Sequence, residues 1–450
     1  MFSGAETTVK VGSCSASLLA AVAVAATLGL PGCDSNSYSA AIRYLVRSDP
    51  LVITDKLGPA DNPGGERNNP DRPGQLPLFT ANDLLEFPNP YFKDAAERDD
   101  VKLFDQNKMM DPSKLSGENR KILQDALDDL FGTPAEPKLE GIDSATRDKI
   151  LLPPEEAKQG ITAMQMLEKG SKYYRIHCLH CHGVTGNGRG PTSRWVNPHP
   201  RDYRRGFFKF QSTDQTEKEQ KPSRADLLRT LEEGIEGTQM PSFNLLSNHD
   251  LQTLISYVIH LSIRGEAEFL TIKQCFQFNP AADALDLKAG QDPPKYLKAI
   301  TKVVGKTWLN SQTEEMRINP VPYPKYTEEQ MKESVESGQA LFTANEEQLK
   351  ILGIKVAASC VSCHKDFGRQ ATYRYDYWGT LVRPADLTKG VYRGGRRPVD
   401  IYYRIHSGIN GSGMAPFGGT LSGEQIWDLV NFVRAIPYKG MRQQYGIKLN

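Results

Sequence analysis

Apolar residues along this chain recur mainly at helical intervals. Between Ser116 and Gly132, the residues Ile122, Leu123, Leu127, Leu130 and Phe131 share one face, and Gly132 with Pro134 stops the run. That pattern predicts an amphipathic helix. Leu251, Leu254, Ile255, Tyr257 and Val258 predict another, and Ile426, Trp427, Leu429, Val430, Phe432 and Val433 a third. Ser247 and Ser422 stand ahead of these two as N-caps, where a hydroxyl oxygen accepts from an orphan N–H of the first turn. Gly170 with Tyr174, and Gly338 with Phe342, lie on helices farther upstream. Two stretches break the pattern. Residues 58–77 are rich in Pro, Gly and Asn, cannot bury a core, and predict a flexible spacer. Ser17 to Leu30 is a short apolar run preceded by Lys10, suited to an export signal.

The helices belong to an internal repeat. Pro200-x-Asp202-x-x-x-Gly206 is followed by Asp226 and Met240, and Pro384-x-Asp386-x-x-x-Gly390 by Asp400 and Met414. The Asp-to-Met spacing is the same in both copies. Around the methionines the chain reads Gly234-Ile235-Glu236-Gly237-Thr238-Gln239-Met240-Pro241 and Gly408-Ile409-Asn410-Gly411-Ser412-Gly413-Met414-Ala415-Pro416. Leu246-Ser247 and Leu421-Ser422 then open the closing helices.

Chemistry enters with Cys178-Leu179-His180-Cys181-His182 and Cys360-Val361-Ser362-Cys363-His364, each a complete C-x-x-C-H. Cysteines at that spacing can form thioether bonds to the vinyl groups of a haem, with the adjacent histidine as proximal iron ligand. The bland alternative is a C-x-x-C redox pair, or half a zinc site, that happens to precede a histidine. Two complete copies in one chain favour the first reading. Two covalently bound c-type haems are therefore expected, attached at Cys178, Cys181, Cys360 and Cys363, with His182 and His364 beneath the irons. Cys14, Cys33 and Cys275 remain, an odd set that makes a poor disulfide framework. Cys275 reads as a buried thiol. Leu30-Pro31-Gly32-Cys33 resembles a bacterial lipoprotein signal, with Cys33 the lipidated residue; an uncleaved anchor and a plain cleaved signal are the alternatives. All three export the chain. With 450 residues, 39% hydrophobic content and a formal net charge of +1, the chain can bury real cores and offers no argument for nucleic acid.

Each unit thus reads helix, C-x-x-C-H, irregular connection, methionine loop, closing helix. This closely resembles the class I cytochrome c fold. The resemblance implies that Met240 and Met414 are the distal ligands, held in Gly- and Pro-flanked loops. A soft, neutral thioether favours Fe(II), so His/Met ligation raises the haem potential relative to His/His. In that family a glycine of the first helix lets an aromatic of the last pack across it, and Gly170 with Tyr257 and Gly338 with Phe432 are the matching positions. A proline carbonyl after the haem motif accepts from the proximal histidine; Pro191 matches in the first unit, while Pro384 is a weak substitute in the second. An extra polar run, Ser212 to Pro222, and an insert, Thr343 to Ala358, depart from the compact pattern. Arginines 201, 204 and 205, and 393, 396 and 397, form basic clusters that read as propionate partners, a steering surface or a solvated face.

The expected organisation is mainly α: an export or lipoprotein signal over 1–32, a flexible tether over 33–77 and an accessory segment with one helix over 78–155. The first cytochrome c domain then spans 156–265, a connector 266–327, the second domain 328–440 and a tail 441–450. The expected function is single-electron transfer between redox partners, such as a quinol-oxidising complex and a terminal oxidase or reductase, on the periplasmic side of a membrane. A haem-bearing subunit of a larger respiratory complex is the alternative. A di-haem peroxidase is a further rival; it needs one iron with an open position, and paired methionine loops count against it.

Overall fold

The computed structural model describes residues 42–49, 51–52, 109–196, 198–216, 220–355, 358–371, 374–375 and 381–449. Cys14, Cys33, the Ser17–Leu30 stretch and the 58–77 run lie outside them. In chain order, β1 (Leu51–Val52) pairs antiparallel with β2 (Met109–Met110). Next come α1 (Gly117–Phe131), α2 (Ser144–Leu151), α3 (Pro154–Lys158), α4 (Ala163–His177), α5 (Leu179–His182), α6 (Arg224–Glu233) and α7 (Asn248–Cys275). A hairpin of β3 (Phe276–Asn279) and β4 (Ala284–Leu287) leads to α8 (Pro293–Asn310). The second half holds α9 (Glu328–Thr343), α10 (Glu346–Ile351), α11 (Cys360–Cys363), the pair β5 (Arg374–Tyr375) and β6 (Leu381–Val382), α12 (Pro398–Ser407), α13 (Gly423–Ala435) and α14 (Lys439–Gln444).

Local chemistry explains the boundaries. Reciprocal capping boxes open α4 (Thr162 with Gln165), α9 (Thr327 with Gln330) and α13 (Ser422 with Gln425). Ser247 caps α7 by accepting from Asp250 N. Helix α1 starts at the Ser116 cap and stops at Gly132, which takes a φ of 67°. The ten-residue helices α6 and α12 explain the matched Asp-to-Met spacing. Asp226 and Asp400 are their third residues, each accepting from the backbone N–H of its own cap, Ser223 (3.0 Å) and Arg397 (3.2 Å).

Two hydrophobic cores result, one per haem motif. In the first, α4 crosses α7 at Gly170, where any Cβ would overlap the Thr253 carbonyl and come within 3.0 Å of Tyr257 Cβ. In the second, α9 crosses α13 at Gly338, where any Cβ would overlap the Asp428 carbonyl and come within 2.8 Å of Phe432 Cβ. Close approach of the backbones brings Tyr174 and Tyr257 to 5.2 Å between ring centroids, and Phe342 and Phe432 to 5.4 Å.

Several expected boundaries are corrected. The tether over 33–77 includes packed chain, because Tyr44, Val46, Arg47 and Asp49 are buried. The accessory segment 78–155 carries α1, α2 and the start of α3, more than the one expected helix. The first domain does not close at residue 265: α7 runs on to Cys275, since no breaker follows Gly265 and Ala267, Phe269 and Ile272 continue the apolar face. The connector 266–327 is structured too. Through Leu297, Thr301, Val304 and Trp308, α8 buries one face, packing on α7, α1 and α2 and joining the first core. The tail beyond 440 buries Tyr445 and Ile447 in the second core. No described helix is long and apolar enough to cross a membrane.

The two units meet along α6 and α12. Arg229 reaches across to Asp400 at 3.0 Å while also lying 3.6 Å from Asp226. Ser407 Oγ donates to Thr213 O at 2.9 Å, and Arg396 pairs with Glu236. The polar run after Ser212 therefore serves the seam: it also bonds to the chain leading into the second unit, Asp214 N to Met316 O at 2.8 Å and Ile318 N to Ser212 O at 2.9 Å. Asp400 is fully buried and also accepts from Arg397 Nε and Nη2, both at 2.9 Å. Asp400→Ala leaves Arg229 without its interdomain acceptor and should cost about 3–5 kcal/mol in chemical denaturation. Lys121→Ala, at an exposed i,i+4 pair, should stay within about 0.5 kcal/mol.

Candidate haem-binding sites

Each C-x-x-C-H is one helical turn placed directly in front of a core. Cys178 caps the end of α4, its N–H donating to Tyr174 O at 2.8 Å, and His182 N donates to Cys178 O at 2.8 Å. His364 N makes the same bond to Cys360 O at 2.8 Å. A turn of this kind puts positions i and i+3, the two cysteines, on one face. Burial pushes the Cys178 thiol up to about 12 and the Cys360 thiol up to about 11. Redox-active C-x-x-C pairs work the other way, with a thiolate stabilised near neutral pH. Among the described residues no group of three or more His, Cys, Asp or Glu is placed to hold a metal ion, so neither pair completes a zinc site.

Both histidines are oriented from behind. His182 Nδ1 lies 3.0 Å from Arg201 O, and His364 Nδ1 lies 3.3 Å from Ala385 O. A carbonyl can only accept, so Nδ1 carries a proton in each ring, and the neutral form of either ring has its lone pair on Nε2. Burial pushes the His182 imidazole down to about 4, with the Arg201 carbonyl opposing; the ring is neutral at physiological pH. The acceptor differs from the expected one. Pro191 does not serve His182, and Pro384 does not serve His364. Instead the residue after Pro200 and the residue after Pro384 do so, the middle positions of the two Pro-x-Asp repeats. The repeat signalled this role, but a backbone acceptor leaves no trace in its own residue type, and Arg201 and Ala385 share none.

The methionine loops make the same turn, and the first adds a bond from Met240 N to Thr238 Oγ1 at 3.1 Å. Ile235 N donates to Met240 O at 3.1 Å and Ile409 N to Met414 O at 3.0 Å. Thr238 Oγ1 donates to Ile235 O at 2.8 Å, and Ser412 Oγ to Ile409 O at 2.7 Å. Gly234 and Gly408 end the preceding helices at φ of 68° and 69°, a conformation that disfavours side chains. Met240 and Met414 are each half-buried against their own core. Ala415, inserted before Pro416, leaves the turn unchanged.

The arginine clusters are largely absorbed by the fold. Arg204 is 2% exposed and paired with two carboxylates, while Arg205 lies 4.7 Å over the Phe269 ring. Arg396 crosses the seam to Glu236, and Arg397 holds Asp400 at the start of its own helix. His199 Nδ1 bonds locally to Pro200 O (3.1 Å), His249 Nδ1 bonds Glu156 far along the chain (2.7 Å), and His260 is enclosed beside Phe131. Cys275 is buried, as expected of a structural thiol. In the second unit, Asp366 and Phe367 take positive φ of 48° and 56° directly after His364, and the buried Phe367 ring lies 6.0 Å from Phe342. Such a backbone costs about 1–3 kcal/mol per residue, offset here by the aromatic packing.

The donor set fits a haem twice: two thiols on one face of a turn, an imidazole with fixed tautomer, and a thioether on a matched loop. Comparison with known proteins agrees. The cytochrome c family matches residues 167–262, and the family of cytochrome c oxidase, cbb3-type, subunit III matches residues 355–433. Among solved structures, a chain of the reducing HAO-like protein complex of Kuenenia stuttgartiensis shares 22% identity, covering 60% of this chain and 96% of that one at a TM-score of 0.41. No curated protein matches. With one family match over each C-x-x-C-H unit, the chain is a c-type cytochrome, a haem-based electron-transfer protein with two cytochrome c domains and two covalently bound c-type haems.

Proposed function

We propose that the chain carries single electrons between respiratory partner proteins, on the periplasmic side of a membrane, through two six-coordinate haems. Cys178 and Cys181 would attach the first haem, with His182 and Met240 holding its iron; Cys360 and Cys363 would attach the second, with His364 and Met414. When bound, each haem supplies a one-electron Fe(II)/Fe(III) couple. The chain's own residues fix the imidazole tautomer and present a soft thioether. The observation that supports this reading is that both methionine loops make the same turn, which would offer each iron the same thioether donor. A pyridine haemochrome assay should return two haems per chain, and Cys360→Ser should leave the second haem single-bonded or absent while sparing the first. One haem per chain in the unaltered protein would refute it.

Cys33 is the proposed lipid anchor and membrane attachment point. Mass spectrometry of the mature N-terminus tests it, and recovery of residues 1–32 on the native protein excludes the processing. A second reading, a haem-bearing subunit of a larger respiratory complex, is favoured by the oxidase-subunit family match over residues 355–433. Co-migration with an oxidase in mild detergent supports that reading; migration as a lone chain supports the free carrier.

A further inference from the structure

The two Pro-x-Asp straps are alike in sequence and unlike in what holds them. In the second unit Asp386 turns back on its own strap, accepting from Thr388 N at 3.1 Å and Thr388 Oγ1 at 2.6 Å, with the exposed Lys389 3.7 Å away. In the first unit Asp202 accepts from Arg204 N (2.9 Å), Nε (3.0 Å) and Nη2 (2.6 Å). The same guanidinium grips Asp49, 155 residues away in sequence, Nη1 to Oδ1 and Nη2 to Oδ2, both at 2.8 Å. Arg47 Nη2 adds a bond to Asp49 at 2.6 Å, and Arg47 N donates to Glu268 on α7 at 2.8 Å. Burial alone would raise the Asp49 and Asp202 carboxyls, but the Arg204 guanidinium outweighs it and holds both below the usual carboxylate range.

We propose that Asp49 and Arg204 are positioning residues for the first haem. Their clamp fixes the Asp202 end of the strap, and through it the Arg201 carbonyl, against Nδ1 of His182. The inference rests on His182 being the proximal ligand. A fixed acceptor makes the imidazole a stronger donor, which favours Fe(III) and lowers the potential. Among the described residues the Ala385 strap is held only by its own Thr388 and Lys389, so the first haem is set below the second. The packed segment 44–49 thereby becomes a tuning element for a haem motif far along the chain.

A plain charge effect is separable from positioning. Asp49→Asn removes a negative charge, whereas Arg204→Lys keeps the charge and loses the two-sided fork that only a guanidinium can form. In spectroelectrochemical titration of the holoprotein, both variants should raise the first haem's midpoint by at least a tenfold change in the Fe(II)/Fe(III) ratio, about 59 mV for one electron. The second midpoint should not move. The first haem is identified as the one whose midpoint shifts in Met240→Ala. An unmoved first midpoint in an Arg204→Lys protein that binds both haems overturns the proposal, as does an equal shift of both. Should Arg204→Lys fail to load haem, Asp49→Asn decides through the His182 Nδ1 proton in NMR of the reduced protein. Exchange at least tenfold faster than wild type supports the clamp, and wild-type exchange overturns it. Retention of a low-spin first haem in His182→Gly would instead refute the ligand assignment beneath the proposal.

Discussion

Met240→Ala should open one haem and leave the other closed. The thioether is a soft, neutral donor, and the water or hydroxide that replaces it favours Fe(III). The first haem should lose at least a factor of ten in its preference for Fe(II), about 59 mV, and should bind carbon monoxide when reduced. The weak red charge-transfer absorption of methionine sulfur on Fe(III) should fall to half. The loop itself should survive, because its turn is held by the Ile235 N–Met240 O bond and by Thr238, none of which needs the side chain. Met414→Ala should give the mirror result. Carbon monoxide uptake at both haems in either single variant would sink the assignment. A high-spin haem in the unaltered protein, together with rapid peroxide turnover, would move the reading from carrier to enzyme.

The second large effect is expected at Gly338. Replacing a helical glycine by alanine normally gains about 1 kcal/mol of propensity. Here steric overlap wins: any Cβ meets the Asp428 carbonyl, and both partners are helix backbone that cannot step aside. Overpacking of a core costs about 1–3 kcal/mol even where side chains can adjust. Gly338→Val should therefore separate α9 from α13, break the Phe342–Phe432 packing and abolish cooperative unfolding of the second domain in calorimetry. Gly117→Ala, where a new Cβ meets nothing within 4 Å, should be neutral or slightly stabilising. A Gly338→Val protein with wild-type melting would mean that the crossing is looser than described.

What was legible in the sequence is what side-chain type encodes locally. The C-x-x-C-H runs, the paired methionine loops, the serine caps and the glycines at Gly170 and Gly338 are short-range patterns, and each has a chemical reason to be that residue. They were enough to identify two cytochrome c units and two haems. The acceptors for His182 and His364 were not legible, because a backbone carbonyl is supplied equally well by arginine and alanine. Nor was the role of 44–49. Asp49 gains meaning only from Arg204, which lies far along the chain and is buried with it. Similarly, the long run of α7 past Gly265 and the docking of α8 turn an expected connector into part of the first core, because apolar faces at helical spacing do not say which neighbour will cover them. Local pattern determined the cofactor and pointed to the residues proposed to hold it; only the tertiary structure decided what stands behind each of them, since that depends on long-range burial that converts surface charges into a fixed clamp.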